Sequence, residues 1–275
     1  MPVSRTAQGV ARARSMMSRP APAGGDAAGE ERLNGDLAAE LARGEASAGD
    51  RNAGAGMFHH LVARTRFFDG QVLDAIAADV PQIVIVGAGY DGRALRFRAP
   101  GIAFFELDLP ETQADKRARL ARLDVACDDI HFVPVDLTDG DVAAKLARAG
   151  HDAQRPSLFT CEGLLLYLDR DVIAQLFVGL RERAAPSVRS TLALSLGLED
   201  RAATPAARLR RAAFRRRLVR IGEPARTRLA HDGWETLLRQ AGWSIESEVE
   251  PRALDPEAAL GSSLLVTASG AGTIA

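Results

Sequence analysis

The chain has 275 residues, with 35 Lys and Arg against 36 Asp and Glu and 47% hydrophobic residues. That length excludes a disulfide-stapled mini-protein, the apolar content excludes a disordered polyampholyte, and the formal charge of −1 excludes a uniformly basic nucleic-acid-binding chain. No window reaches the ~18 to 20 continuous apolar residues of a membrane span, and MPVSRTAQGVARARSMMSRP lacks the apolar core of a signal peptide, so a soluble, cytoplasmic protein is expected. Cys127 and Cys161 lie in separate segments with no CxxC or Cys/His spacing, which points to neither a disulfide framework nor a zinc site. Only Lys116 and Lys145 of the basic residues are lysine, an arginine excess of the kind a GC-rich genome produces.

Residues 20–56 are rich in Gly, Ala and charge, and they read as a loosely ordered arm with one short helix near Leu33–Leu41. From Gln82 a regular alternation begins. QIVIVGAG leads into a polar helical run, IAFFELD into a helix from Glu111 to about Asp124, and IHFVPVD into a helix through Leu146; SLFTCEG precedes a helix from Arg170 to Arg183, and STLALSL follows it. Short apolar runs separated by helical patterns are the mark of βαβ units and a parallel sheet covered on both faces. A helix in HDGWETLLRQAG and two closing strands, WSIESEVEP and SSLLVTAS, complete the pattern. With no crossover helix between them, those strands are expected as antiparallel neighbours at the sheet edge. The fold class is therefore α/β, a doubly wound, mostly parallel seven-stranded sheet with an antiparallel edge. Residues 1–56 form an arm over it, and 57–275 form the domain proper.

Residues 199–230 interrupt this domain with ten Arg against three acids, Glu199, Asp200 and Glu223. In RLRRAAFRRRLVRI, Phe214, Leu218 and Ile221 recur at helical spacing, so one face is apolar and the rest is arginine. Such a helix is either a solvated element packing by its stripe or a lid that draws an anionic substrate. Nucleic-acid or membrane binding would use the same charges but lacks interleaved aromatics, Phe214 being alone, so neither partner is expected. Oligomeric state is not legible.

The first strand ends in Gly87-Ala88-Gly89-Tyr90-Asp91-Gly92, which satisfies G-x-G-x-x-G. Glycine serves there because the chain turns sharply and its backbone must approach a ligand without a Cβ in the way. A dinucleotide and S-adenosylmethionine both fit such a turn. Asp108, 21 residues after Gly87, ends the second strand, where an acid can accept the ribose hydroxyls of an adenosine. Asp108-Leu109-Pro110-Glu111 also reads as a capping box in which Asp108 accepts the Glu111 amide. Asp136 ends the third strand with Leu137 beside it, either receiving and flanking an adenine or capping a helix through Asp136-Leu137-Thr138. Glu162 ends the fourth. Acids at three successive strand ends favour the cationic sulfonium and ammonium of S-adenosylmethionine over the pyrophosphate of a dinucleotide. A nicotinamide-dependent oxidoreductase remains the rival reading.

These residues resemble the leucine carboxyl methyltransferase family of class I S-adenosylmethionine-dependent methyltransferases, in its bacterial secondary-metabolite branch. The matching segments are Ala63-Arg64-Thr65-Arg66-Phe67-Phe68-Asp69, VIVGAGYDGRALRF, FFELDLPETQADKRARL, FVPVDLTD, CEGLLLYLD and GWETLLRQAGW, with a weaker match from Thr6-Ala7 to Arg14. The resemblance implies that Arg64 holds the methionyl carboxylate, that Gly87, Ala88 and Gly89 lie under the cofactor, and that Asp108 with Leu109 takes the ribose. It implies further that Asp136 and Leu137 flank the adenine, that Glu162 reaches the amino-acid end, and that the N-terminal helices cover the cofactor. One departure stands out: the family shows Asp-Thr-Arg after the glycine turn, and this chain has Asp91-Gly92-Arg93, which should loosen the helix by ~1 kcal/mol. Gly92 and the unusual arm leave room for a non-catalytic binding protein of the same fold.

No catalytic histidine is apparent. His59 and His60 adjoin the arm, while His131, His151 and His231 sit near element boundaries where surface or capping roles are expected. Adjacent His59 and His60 point apart and suit no metal. A carboxylate acceptor needs no general base, because it is already ionised at neutral pH. The expectation is thus an O-methyltransferase acting on a small or natural-product acid, with Tyr167 either orienting the acceptor or packing as core.

Overall fold

The computed structural model describes residues 5–48, 55–199, 212, 216, 218–219, 222–258 and 263–270. Three helices come first: α1 (Arg5–Ser15), α2 (Ala27–Ala48) and α3 (Ala55–Ala77). The alternating part runs β1 (Gln82–Val86), α4 (Arg93–Arg96), β2 (Ala103–Asp108), α5 (Pro110–Arg122) and β3 (Ile130–Pro134). It continues with α6 (Val142–Arg148), β4 (Ser157–Cys161), α7 (Arg170–Glu182) and β5 (Thr191–Gly197). α8 (His231–Gln240), β6 (Trp243–Val249), the single turn α9 (Pro251–Leu254) and β7 (Ser263–Gly270) close the chain.

The seven strands lie in the order β3-β2-β1-β4-β5-β7-β6. β1 to β5 are parallel, and β7 runs antiparallel between β5 and the edge strand β6, as the closing strands predict. Strand pleating divides the apolar residues between two cores. Val84, Val86, Phe105, Leu107 and Phe159 face α7 and α8, meeting Ile173, Leu176, Phe177 and Trp234. Ile83, Ile85, Phe104 and Leu158 face α2 and α3, meeting Leu33, Leu37, Phe67, Phe68 and Val72. Burial of an indole leaves an N–H to satisfy. Trp234 Nε1 donates to the Gly197 carbonyl and Trp243 Nε1 to that of Phe177, each at 3.0 Å.

The arm is more ordered than its composition predicts. α2 extends over 22 residues rather than over Leu33–Leu41 alone, and Leu33, Leu37 and Leu41 bury a stripe at i, i+4 and i+8. Weak intrinsic propensity is offset by tertiary packing of one face. Asp26 supplies the start signal, its carboxylate accepting the Gly29 amide at 2.7 Å. The helical run after the glycine turn, by contrast, is a single turn with all four residues buried. α5 stops at Arg122, two residues early, and Asp124 follows in the left-handed region with φ of 52°.

Gly92 is not a weak point in this turn. A Cβ there would lie 2.2 Å from Glu30 Cγ, so the glycine makes room for a fully buried carboxylate from α2. Glu30 in turn pairs with Arg96 of α4 and with Arg19. Most of the arginine-rich stretch lies outside the described residues, including Phe214 and Ile221; Leu218 of the same stripe is buried. Among the described residues no helix is long and apolar enough to cross a membrane. Because the Cβ has no space, Gly92→Ala should destabilise the chain by about 1–3 kcal/mol in urea unfolding, as overpacked substitutions do. An unchanged midpoint would show that Glu30 does not require that space.

Candidate active site

The order of the central strands places β1 between β2 and β4, and a doubly wound sheet opens its ligand crevice at that reversal, beyond the carboxyl ends of the strands. Register decides what stands there. Val86 is level with Leu107 and with Cys161, so the next residues, Gly87, Asp108 and Glu162, form one row along the crevice. Gly87 and Gly89 adopt φ of 66° and 50°, a conformation that side chains with a Cβ rarely take. The buried Ala88 between them donates its amide to the Leu107 carbonyl at 2.9 Å, which ties the turn to β2.

The capping box predicted at Asp108 does not form. Its two carboxylate oxygens accept the Gly89 amide at 2.7 Å and the Leu109 amide at 2.8 Å, and α5 starts from Leu109 without a side-chain cap. Proline at the first helical position makes that cap dispensable, because its missing N–H removes one orphan donor. Burial raises the Asp108 carboxyl above its ordinary value, while the two backbone amides oppose the rise. Asp136 does cap: Oδ1 accepts from the amide and the hydroxyl of Thr138 at 2.9 and 2.7 Å. Those bonds use one oxygen and leave Oδ2 for another donor, so capping and ligand binding are compatible here. Leu137 is half-buried beside it against the core.

Glu162 is the most heavily committed of the expected residues. Its Oε1 accepts Arg64 Nε at 2.9 Å, and its Oε2 accepts Arg14 Nη2 at 2.9 Å and Arg93 Nη1 at 2.6 Å. Arg14 also reaches Asp91 at 3.1 Å, and Arg93 pairs with Asp91 and with Asp69, the latter at 2.7 Å. Arg19 adds two bonds to Asp69 at 2.7 and 2.9 Å. Burial alone would raise the Glu162 carboxyl, but Arg93, Arg14 and Arg64 together draw it down to about 2. Asp91 is likewise held below its ordinary value, because Arg14 and Arg93 outweigh its desolvation. These arginines are not the surface residues that most of their kind become. Arg14, Arg93 and Arg96 are 5%, 2% and 4% exposed.

Arg64 spends only Nε on Glu162. Its two Nη atoms stand 3.1 and 3.3 Å from where a Cβ on Gly163 would project, and no described residue bonds them. Tyr167 lies at the far side with its hydroxyl on Thr6 of α1, and burial raises that hydroxyl above its ordinary value. The described tail of the basic segment is stitched to the same strand ends. Arg226 donates its amide to the Leu166 carbonyl at 2.8 Å, Thr227 its hydroxyl to Leu168 at 2.6 Å, and Arg228 a guanidinium N–H to Leu198 at 3.3 Å.

Sequence reasoning missed the ties through Arg14, Arg19 and Glu30, which depend on how the arm folds back. It also expected a surface or capping role for His151 and gave His60 none beyond adjoining the arm. His151 is 3% exposed and bonds Ser157 at 3.0 Å, and His60 stands one turn before Arg64. The i, i+4 spacing of His60 and Arg64 was a signal in plain view. His59 bonds Asp255 and Glu257 at 3.0 and 2.8 Å. Among the described residues no group of three His, Cys, Asp or Glu could hold a metal. A hollow of about 420 Å³ lies elsewhere, at the end of α7 between Val178 and Pro186. Because α7 runs back from the carboxyl end of β4 toward the start of β5, this hollow lies toward the amino ends of the strands, away from the row of acids.

A family model described as leucine carboxyl methyltransferase matches residues 13–180, which contain this whole row. The chain belongs to the leucine carboxyl methyltransferase family. A Frankia alni relative is 39% identical over 140 residues, covering 50% of this chain and 48% of its own. A Streptomyces coelicolor relative is 39% identical over 150 residues, covering 53% and 52%, and a Mycobacterium bovis relative 41% over 133 residues, covering 45% and 38%. All three carry names that assign them provisionally to S-adenosyl-L-methionine-dependent methyltransferases. The chain spans about half the length of these curated relatives or less. A solved Thermobifida fusca protein, provisionally named a methyltransferase, shares the fold at TM-score 0.55 and 17% identity, covering 78% of this chain and 83% of its own. The magnesium protoporphyrin IX methyltransferase of Synechocystis, solved with bound SAH, shares it at TM-score 0.50 and 14% identity, over 84% and 94%.

Within the family site, removing the Glu162 charge leaves three guanidinium groups uncompensated in a buried setting. Glu162→Gln should therefore cost about 3–5 kcal/mol of stability at pH 7. The folded carboxyl titrates at about 2 against an ordinary value of 4.5, so the fold favours its ionised form. That contribution is complete above the ordinary value and is lost as pH falls toward the folded one. Urea unfolding of both proteins between pH 7 and pH 3 should show the gap narrowing below about 4.5; a constant gap would contradict the ion-pair account.

Proposed function

We propose that the chain is an S-adenosylmethionine-dependent O-methyltransferase that esterifies the carboxylate of a small organic acid. The observation that carries this reading is the single row formed by the glycine turn, Asp108 and Glu162, with Arg64 held against Glu162 at one end and Asp136 just beyond the end of the third strand.

The residues fit the cofactor. Asp108 accepts two backbone amides and the Thr112 hydroxyl, which leaves one of its four lone pairs for a ribose hydroxyl. Asp136 Oδ2 is available to an adenine amine, with Leu137 beside it. The Nη pair of Arg64, which no described residue bonds, suits a methionyl carboxylate, since a guanidinium fork matches a carboxylate with two parallel bonds. Glu162 Oε1 accepts one described donor and has capacity for an ammonium. When bound, S-adenosylmethionine supplies a methyl group on a positively charged sulfur. A pyrophosphate would meet the same acids with repulsion, which disfavours a nicotinamide dinucleotide.

The chain's own residues then need only hold an acceptor oxygen in line, since most of the acceleration of such a displacement comes from positioning. A carboxylate arrives ionised and asks for no proton to be moved. Arg64 and Arg228 make the far side of the crevice cationic, which supports an anionic acceptor over a neutral one. A small acid is favoured over nucleic acid or a lipid surface for the same reason, the recognition being local to the strand ends.

Calorimetry should show S-adenosylhomocysteine binding and no NAD binding. Arg64→Lys, which keeps the charge and loses the fork, should weaken S-adenosylhomocysteine about tenfold or more, or ~1.4 kcal/mol, with little change in melting temperature. Incubation with methyl-labelled S-adenosylmethionine and a panel of acids and phenols should give base-labile label. Base-stable label would move the acceptor to a phenol, and tight NAD binding would reverse the cofactor assignment.

A further inference from the structure

His60 takes no part in the cofactor site as described, yet it stands beside the residues that build it. It lies on α3 four residues before Arg64, one helical turn away on the same face. The charged groups that act on it are Arg64 from α3, Glu162 from the end of β4, and Arg228 from the segment joined to β5. Burial and two guanidinium groups outweigh the single carboxylate, so the imidazole stays neutral and titrates at about 4. Its Nδ1 is enclosed and has no hydrogen-bond partner, and no described residue bonds Nε2. The other histidines with described ring bonds spend them on the protein: His59 on Asp255 and Glu257, His151 on Ser157, His231 on Glu248.

The enclosure of Nδ1 fixes which nitrogen carries the hydrogen. A proton on Nδ1 would be a buried donor without an acceptor, the costlier arrangement. The neutral ring therefore carries its hydrogen on Nε2. A neutral donor can orient an anionic oxygen while leaving most of its charge, and hence its nucleophilicity, in place. A histidinium would form an ion pair and blunt both.

We propose that His60 is an acceptor-binding residue, its Nε2–H donating to a carboxylate oxygen of the methyl acceptor while Arg228 supplies the opposing charge. This rests on the methyltransferase reading and adds the protein's contact with the acid. Tyr167, whose hydroxyl is already engaged by Thr6, is then a wall of the acceptor space and not its hydrogen-bonding group. The anion bound beside His60 opposes the fields of Arg64 and Arg228, so acid binding raises the titration of the ring.

The test uses the full chain with labelled histidine, loaded with S-adenosylhomocysteine, and benzoate and hexanoate as probes. The His60 ring resonance is identified by its loss in His60→Gln. At least one acid should move that resonance saturably and raise its titration by about one pH unit or more. Arg228→Gln should weaken the same acid about tenfold and leave S-adenosylhomocysteine affinity within about twofold. In turnover with an acid that the chain methylates, His60→Gln should raise the acceptor KM about tenfold, with kcat changed by less than about threefold. A His60 resonance that neither acid moves in the loaded wild-type chain overturns the proposal alone. Parallel loss of cofactor and acid affinity in His60→Gln overturns it in favour of a structural role. Failure of the wild-type chain to bind S-adenosylhomocysteine overturns the methyltransferase reading first, and this proposal with it.

Discussion

A carboxylate taken out of water at a strand end must bring cations with it, and at Glu162 it brings three. Each of those arginines comes from a different part of the chain: Arg14 from α1, Arg64 from α3 and Arg93 from α4. Their second partners, Asp91 and Asp69, extend the network to Arg19, and through Arg19 to Glu30 and Arg96. The N-terminal helices are therefore held to the glycine turn by this network of buried charges. Isolated buried ion pairs often add little stability, because desolvation offsets attraction. What such a network does impose is geometry, since each arginine has one arrangement in which its fork is satisfied.

That geometry is what leaves parts of the site available. The carboxylates and guanidinium groups at the crevice are all engaged, but several are engaged by the described residues with only part of their capacity: Arg64 through Nε alone, Asp136 through Oδ1 alone, Asp108 through three of its four lone pairs. Residues immobilised by the protein on one side and open on the other suit ligand binding without reorganisation. Gly92 belongs to the same economy of space. A threonine at this position would occupy the volume that Glu30 needs, so the departure from the family pattern and the buried acid on α2 are two halves of one contact.

Much of the site was legible in the chain because strand ends are legible. Apolar runs ending in glycine, Asp108, Asp136 and Glu162 recur at βα spacing, and a parallel sheet brings such ends to one edge by construction. The capping reading of Asp108 failed because local spacing does not show that the Gly89 amide, 19 residues away, claims the carboxylate. The arm was underestimated because α2 has few large apolar residues, and its helix is stabilised by burial of Leu33, Leu37 and Leu41, with α2 packed mainly on α1 and α4. His60 was passed over for a similar reason. Beside His59 it resembles a surface pair, and only Glu162 after β4 and Arg228 from the segment joined to β5 distinguish it.

The sequence by itself determined the α/β alternation, the antiparallel closing strands and the identity of the residues at the crevice, since periodicity and strand-end position are local properties of the chain. Tertiary structure alone decided how those residues are committed. Whether an arginine is a surface charge, a counterion to Glu162 or a free fork depends on contacts across as many as 148 residues of chain. Such pairings carry no local signature, because any of the many arginines could have filled them, and only packing of the arm against the sheet selects Arg14, Arg64 and Arg93.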